Sequence, residues 1–189
     1  MRIWILCIIA TCYYVDKAKS DLGFGGCGSI QSVDPFNVTG IFGTWYVYEV
    51  NEIISVITTR CSVIDIERAN NNGQTITLQV SRSVLNTNIN FPTQYTATQI
   101  GNSSKFNQIG LFFMSSPLYI IATDYNSYMI MYICTDVFGL AHDRNVIIAT
   151  RNRHPSNATI NAVEALVVKQ NLGNPNNFFP IRQDNCDHK

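Results

Sequence analysis

The residues of this chain that could do chemistry are few and widely spaced. Cys7 and Cys12 lie in the first 20 residues, which leaves Cys27, Cys61, Cys134 and Cys186. No C-x-x-C occurs and the spacings are long, which argues against a thiolate metal site. An even number of cysteines suits disulfides in an oxidising compartment, and four of them permit three pairings. The three histidines, His142, His154 and His188, fall in two loops and the tail by prediction. None is placed to ligate a metal or a haem from a strand interior. Gly23-Phe-Gly-Gly-Cys-Gly28 has the form G-x-G-x-x-G. No strand is predicted before it and no helix after it, so it aims no helix N-terminus at a pyrophosphate. Nucleophile-elbow, H-E-x-x-H and P-loop patterns do not occur. The expected class is a binding protein without catalytic residues and without a metal.

Bulk properties point the same way. The 189 residues suffice for one domain with a substantial core, and only 14% are charged. Net charge is zero; Arg2, Lys17 and Lys19 against Asp16 put +2 on residues 1–20 and −2 on the rest. With no basic stripe, nucleic acid is not an expected partner. Residues 1–20 read as a signal peptide: Arg2 gives the positive end, 3–10 the apolar core, and Ala18-Lys-Ser20 small residues for cleavage. That core falls short of the roughly 20 apolar residues that a membrane span needs. The chain is therefore expected to be secreted. Sequons at Asn37, Asn102 and Asn157 fall at turns or element ends, where a glycan can be exposed.

The elements that must position any site are short and alternating. Strands are predicted at 44–50, 60–67, 74–84, 94–99, 105–112, 118–123, 128–136 and 145–150, separated by turn residues such as Asn70-Asn-Asn-Gly73. Eight such strands with short connections predict an all-β, antiparallel, up-and-down barrel. One helix follows, begun by Pro155-Ser156, with Ile160, Val163, Leu166 and Val167 on one stripe and Lys169 in its last turn. It should pack outside the barrel, and residues 178–181 should add a short edge strand. Residues 21–36 read as an irregular arm preceding a domain of residues 37–189.

In such a barrel alternate residues face inward and leave room for one small ligand. If Trp45 faces in, Val47 and Glu49 do too. Ser62, Ile64 and Ile66 follow, then Ile76, Leu78 and Val80, Tyr95 and Ala97, Ile109 and Leu111. Met129, Met131 and Ile133 face in if Cys134 faces out, and Ile147 and Ala149 share the parity of Arg151. This set predicts an apolar pocket for a flat lipophilic molecule, with Glu49 as its one acid. Two connections at the open end are apolar: Ile53, Ile54, Val56 and Ile57 in one, Leu111, Phe112, Phe113 and Met114 in the other. Such loops serve either as lids or as contacts to a membrane surface or a receptor.

Gly43-Thr-Trp45, then Thr123-Asp124-Tyr125, then Arg151 at the end of the last strand stand in an order and spacing that resemble the lipocalins. The resemblance covers nearly all of the chain after residue 20. It implies that the Trp45 ring lies at the closed base of the barrel with Arg151 packed across it. The cysteine spacing resembles the apolipoprotein D and invertebrate bilin-binding branches of that family, which implies Cys27–Cys134 and Cys61–Cys186. With all four thiols so used, no pocket nucleophile remains. The resemblance implies a secreted glycoprotein that carries one small hydrophobic ligand, a bilin such as biliverdin first, with a lipid or steroid as the alternative. No cofactor beyond such a ligand is required. Bilin-binding relatives often have pocket tryptophans, whereas after residue 20 this chain has Trp45 alone.

Overall fold

The computed structural model describes residues 22–51, 59–69, 74–84, 89–109, 115–137 and 139–186. Its strands are β1 Leu22–Phe24, β2 Gly43–Val50, β3 Thr59–Arg68, β4 Thr75–Val84, β5 Thr93–Gln99, β6 Lys105–Ile109, β7 Ser115–Thr123, β8 Tyr128–Val137, β9 Ala141–Thr150 and β10 Phe179–Pro180. Helix α1 spans Asn157–Lys169. Strands β2 to β9 pair antiparallel in sequence order, and β9 returns to β2, with Tyr46 opposite Thr150 and Val47 opposite Ala149. That last pairing closes the predicted eight-stranded barrel. The sheet is antiparallel because each connection is too short for a crossover. The signal-peptide reading of 1–20 and the two apolar rim loops at 52–58 and 110–114 lie outside the described residues.

Period-two patterning decides which side chains meet inside. Trp45, Val47, Ile64, Ile66, Ile76, Leu78, Ala97, Phe106, Leu118, Ile120, Met129, Met131 and Ala149 form one buried interior cluster. The run at 128–134, Tyr-Met-Ile-Met-Tyr-Ile-Cys, does not alternate, because β8 is buried on both faces. Its outward side chains Ile130 and Tyr132, with Ile121, Val146 and Ile148, pack against Val163 and Val167 of α1 and against Leu172 and Phe178. The helix begins where the Ser156 side chain accepts a hydrogen bond from the Thr159 N–H at 3.2 Å. It stops before Gly173, whose φ of 134° suits glycine.

Both chain ends are tied to the barrel wall. Cys27 is bonded to Cys134 on β8, and Cys61 on β3 to Cys186 in the tail, closing loops of 107 and 125 residues. Such long loops remove the most freedom from the unfolded chain, an effect of roughly 2–5 kcal/mol each.

Two expectations about the ends need correction. The arm is not wholly irregular: Leu22–Phe24 pairs with β9, placing Gly23 opposite His142. A Cβ on Gly23 would collide with the His142 ring, so a side chain there would force the ring to move. For the same reason His142 is a strand residue and not a loop one, with Nδ1 2.9 Å from the Gly25 carbonyl oxygen.

Ile148 lies under α1, is 2% exposed, and takes no part in the interior. Ile148→Ala should lower stability by about 2–5 kcal/mol. Thermal or urea unfolding would measure this, and the interior surface should be unchanged.

Candidate ligand-binding site

The base of the barrel is built around one ring. Trp45 is fully buried and donates from Nε1 to the Ile41 carbonyl at 2.8 Å. The Arg151 guanidinium lies over its ring, with Cζ 3.7 Å from the centroid. Three of its N–H groups also donate to backbone carbonyls: Nε to Tyr125 at 3.2 Å, and the two terminal nitrogens to Thr44 and Gly40 at 3.0 Å each. One arginine thus joins the turn before β2, the start of β2, the β7–β8 turn and the end of β9. Its burial pushes the guanidinium pKa down from its usual value. Gly43 sits directly beneath, at a φ of 95°, and a Cβ there would stand 3.4 Å from the guanidinium.

The Thr123-Asp124-Tyr125 segment is the second half of this base. Thr123 Oγ1 donates to the Tyr128 carbonyl at 2.8 Å and accepts from the Tyr125 N–H at 2.9 Å. Asp124 Oδ1 accepts from the N–H groups of Asn126, Ser127 and Tyr128 at 3.1, 2.7 and 3.0 Å. Burial alone would raise the Asp124 pKa, but these donors outweigh it and hold the carboxyl below its usual value. Tyr125, at a φ of 65°, packs on Phe36 with centroids 6.1 Å apart.

Above this base opens a cavity of about 180 Å³. Val47 and Val50 of β2, Ser62 and Ile64 of β3, and Leu78, Val80 and Arg82 of β4 line one side. Tyr95 of β5, Gln108 of β6, Leu118 of β7, Met131 and Ile133 of β8, Ile147 of β9 and Ile181 of the tail complete it. Among the described residues, no group of three or more His, Cys, Asp or Glu is placed to hold a metal ion.

Of the sequence-predicted pocket residues, Val47, Ile64, Leu78, Val80, Tyr95, Met131, Ile133 and Ile147 lie on this wall. Ile66, Ala97, Met129 and Ala149 face inward but lower, packed around Trp45 in the solid base. Leu111 lies outside the described residues. Two residues point elsewhere. Ile109 is 48% exposed. It pairs with Thr96, while Gln108 pairs with Ala97, so β6 is shifted by one and Phe106 and Gln108 take the inward places. Glu49 is turned away by a bulge between Val47 and Glu49. Beyond it Val50 lines the cavity, and burial first, then the charge of Glu164 on α1, raises the Glu49 pKa.

Sequence reasoning also missed Val50, Arg82, Leu118 and Ile181 as lining residues. For Arg82 the signal was present: it continues the Ile76, Leu78, Val80 alternation by one step. For Ile181 no alternation could have shown it. β2 and β3 pair only from Gly43 to Tyr46, and above that the tail fills the gap. There Ile181 N–H donates to the Tyr48 carbonyl at 2.8 Å. The buried Gln183 donates from Nε2 to the Val47 and Ser62 carbonyls at 2.8 and 2.9 Å.

Arg151→Met should cost roughly 2–5 kcal/mol, combining the lost ring contact with three unsatisfied carbonyls. With Trp4 in residues 1–20, Trp45 is the single tryptophan of the remainder, so its emission should shift red in the variant. Asp124 makes a second test. Its folded pKa lies below the unfolded one, so its stabilisation is complete above roughly pH 4 and vanishes as pH falls through the folded value. Thermal midpoints measured down an acid series should fall less steeply in Asp124→Asn than in the parent.

The chain matches no family model. It is 25% identical over 167 residues to apolipoprotein D of Macaca fascicularis, covering 86% of this chain and 85% of that one. A shorter match to apolipoprotein D of Cavia porcellus is 31% identical over 58 residues, spanning 31% of each chain. Insecticyanin from the tobacco hornworm Manduca sexta superposes with a TM-score of 0.71 at 16% identity, covering 89% of this chain and 93% of that one. Apocrustacyanin C1 gives 0.69 at 16% identity, with coverages of 88% and 93%. The closed barrel, its tryptophan–arginine base and its outer helix therefore make this chain a lipocalin by fold, with apolipoprotein D among its sequence relatives.

Proposed function

We propose that this protein is a secreted carrier that holds one small hydrophobic molecule inside the barrel, without catalysis. The observation that carries this reading is the cavity itself: mostly aliphatic walls above a base sealed by Trp45 and Arg151. A concave apolar site with a few polar groups suits a lipophilic ligand, and burial of such a ligand supplies the main driving force. Met131 on the wall adapts to ligand shape, since its thioether chain is flexible.

Two ligand classes compete. A bilin of the biliverdin type follows from the likeness to pigment-binding lipocalins. A slender lipid or a steroid follows from the relation to apolipoprotein D, and one observation favours it. The cavity of about 180 Å³ is small beside the roughly 300–1,000 Å³ usual for ligand sites, which suits an acyl chain better than a tetrapyrrole. Secretion and glycosylation at Asn37, Asn102 and Asn157, all exposed, belong to the same reading. So does contact of the apolar rim with a membrane surface or a receptor.

Titration with biliverdin, retinol, a steroid and a fatty acid, followed by Trp45 emission and by pigment absorbance, is the test. Saturable binding of at least one below about 10 μM, or roughly −7 kcal/mol, is expected. No saturation by any of them would remove the carrier reading. Leu118→Trp, which puts bulk into the cavity, should weaken that binding about tenfold or more while the protein still folds.

A further inference from the structure

We infer that the ligand of this cavity carries an anionic head, a carboxylate, which is bound by Arg82 near the open end of the barrel. The inference rests on the carrier reading and adds the polar half of the ligand to it. Among the described residues, Arg82 is the one permanently charged residue lining the cavity. It stands on β4 two residues beyond Val80, on the same inward face, and so points at the space above the aliphatic wall. The other polar lining groups, Ser62, Tyr95 and Gln108, are neutral hydrogen-bonding side chains. No acid is among the described lining residues.

Among the described residues the Arg82 guanidinium has no hydrogen-bond or ion-pair partner. Arg82 makes a backbone link instead, its carbonyl accepting from the Phe91 N–H at 2.8 Å. This contrasts with Arg151, whose donors are used on three carbonyls of the base. Among the described residues, the cavity thus offers one positive charge, with no acid on the lining, at one end of an apolar volume. A guanidinium presents paired N–H donors that match a carboxylate. An amphiphile entering with its apolar body against Ile64, Leu78, Leu118 and Ile147 brings its head level with Arg82, and Gln108 and Tyr95 supply further donors.

A fatty acid and a bilin propionate share this carboxylate, so the test uses both. Oleic acid and methyl oleate, and biliverdin and its dimethyl ester, are titrated into the full-length secreted protein, into Arg82→Gln and into Arg82→Lys, at a pH where the acids are ionised. At least one acid should bind roughly tenfold or more tightly than its own ester. Arg82→Gln should erase that preference while leaving ester affinity within about twofold, and Arg82→Lys should retain part of it, having the charge without the paired geometry. Whichever acid shows the effect identifies the source of the carboxylate. Equal affinity of acid and ester in the parent protein would overturn the inference and leave the carrier reading intact. So would equal loss of acid and ester in Arg82→Gln. Binding of none of the four compounds would remove the carrier reading and this inference with it.

Discussion

Everything above the base of this barrel depends on one cation lying on one ring. Eight strands can close into a barrel only if the first and the last meet, and β9 meets β2 along Tyr46 to Val50. Arg151, immediately after β9, fixes that closure by lying 3.7 Å over Trp45 and donating to carbonyls on three neighbouring segments. A guanidinium suits this place because it is flat, permanently charged and weakly hydrated. Each of its contacts is modest alone, but together they convert the end of a sheet into a sealed floor. Gly43 is part of the same arrangement, since its φ of 95° suits glycine and lets the chain turn into β2 beside the guanidinium.

The closed floor determines what the interior can be. Below the level of Leu78 the inward side chains of facing strands touch one another, and the barrel is solid around Trp45, Ile66, Ala97, Met129 and Ala149. Higher up they no longer meet, and the gap is the cavity. The wall there is not made by the eight strands alone. The tail enters where β2 and β3 diverge, contributes Ile181, and is held by Gln183 and by the Cys61–Cys186 bond. The second disulfide therefore secures part of the ligand wall as well as the chain end.

Most of the architecture was legible in the sequence because alternation is a strong signal wherever one face is buried and the other wet. The eight strands, the helix stripe and the inward faces of most strands were readable on that account. The likeness to known lipocalins carried the roles of Trp45 and Arg151 and the cysteine pairs. What escaped lay where alternation is broken locally. The β2 bulge reverses the side of Glu49, and the one-residue shift of β6 exchanges Ile109 for Gln108. Hydropathy alone favours Ile109 as the inward residue; only the register shows that Gln108 is. The tail's place in the wall is a long-range event, fixed by backbone hydrogen bonds that no local pattern encodes.

The central claim, that a hydrophobic molecule occupies the space above the base, is tested most directly by methyl-resolved NMR during titration with a fatty acid. Occupancy of the cavity predicts saturable shifts at Ile64, Leu78, Leu118, Ile147 and Ile181, which line it. Ile148, Val163 and Val167, packed between the barrel and the helix, should stay unchanged. Shifts confined to the helix side, with the cavity methyls unmoved at saturation, would contradict the account.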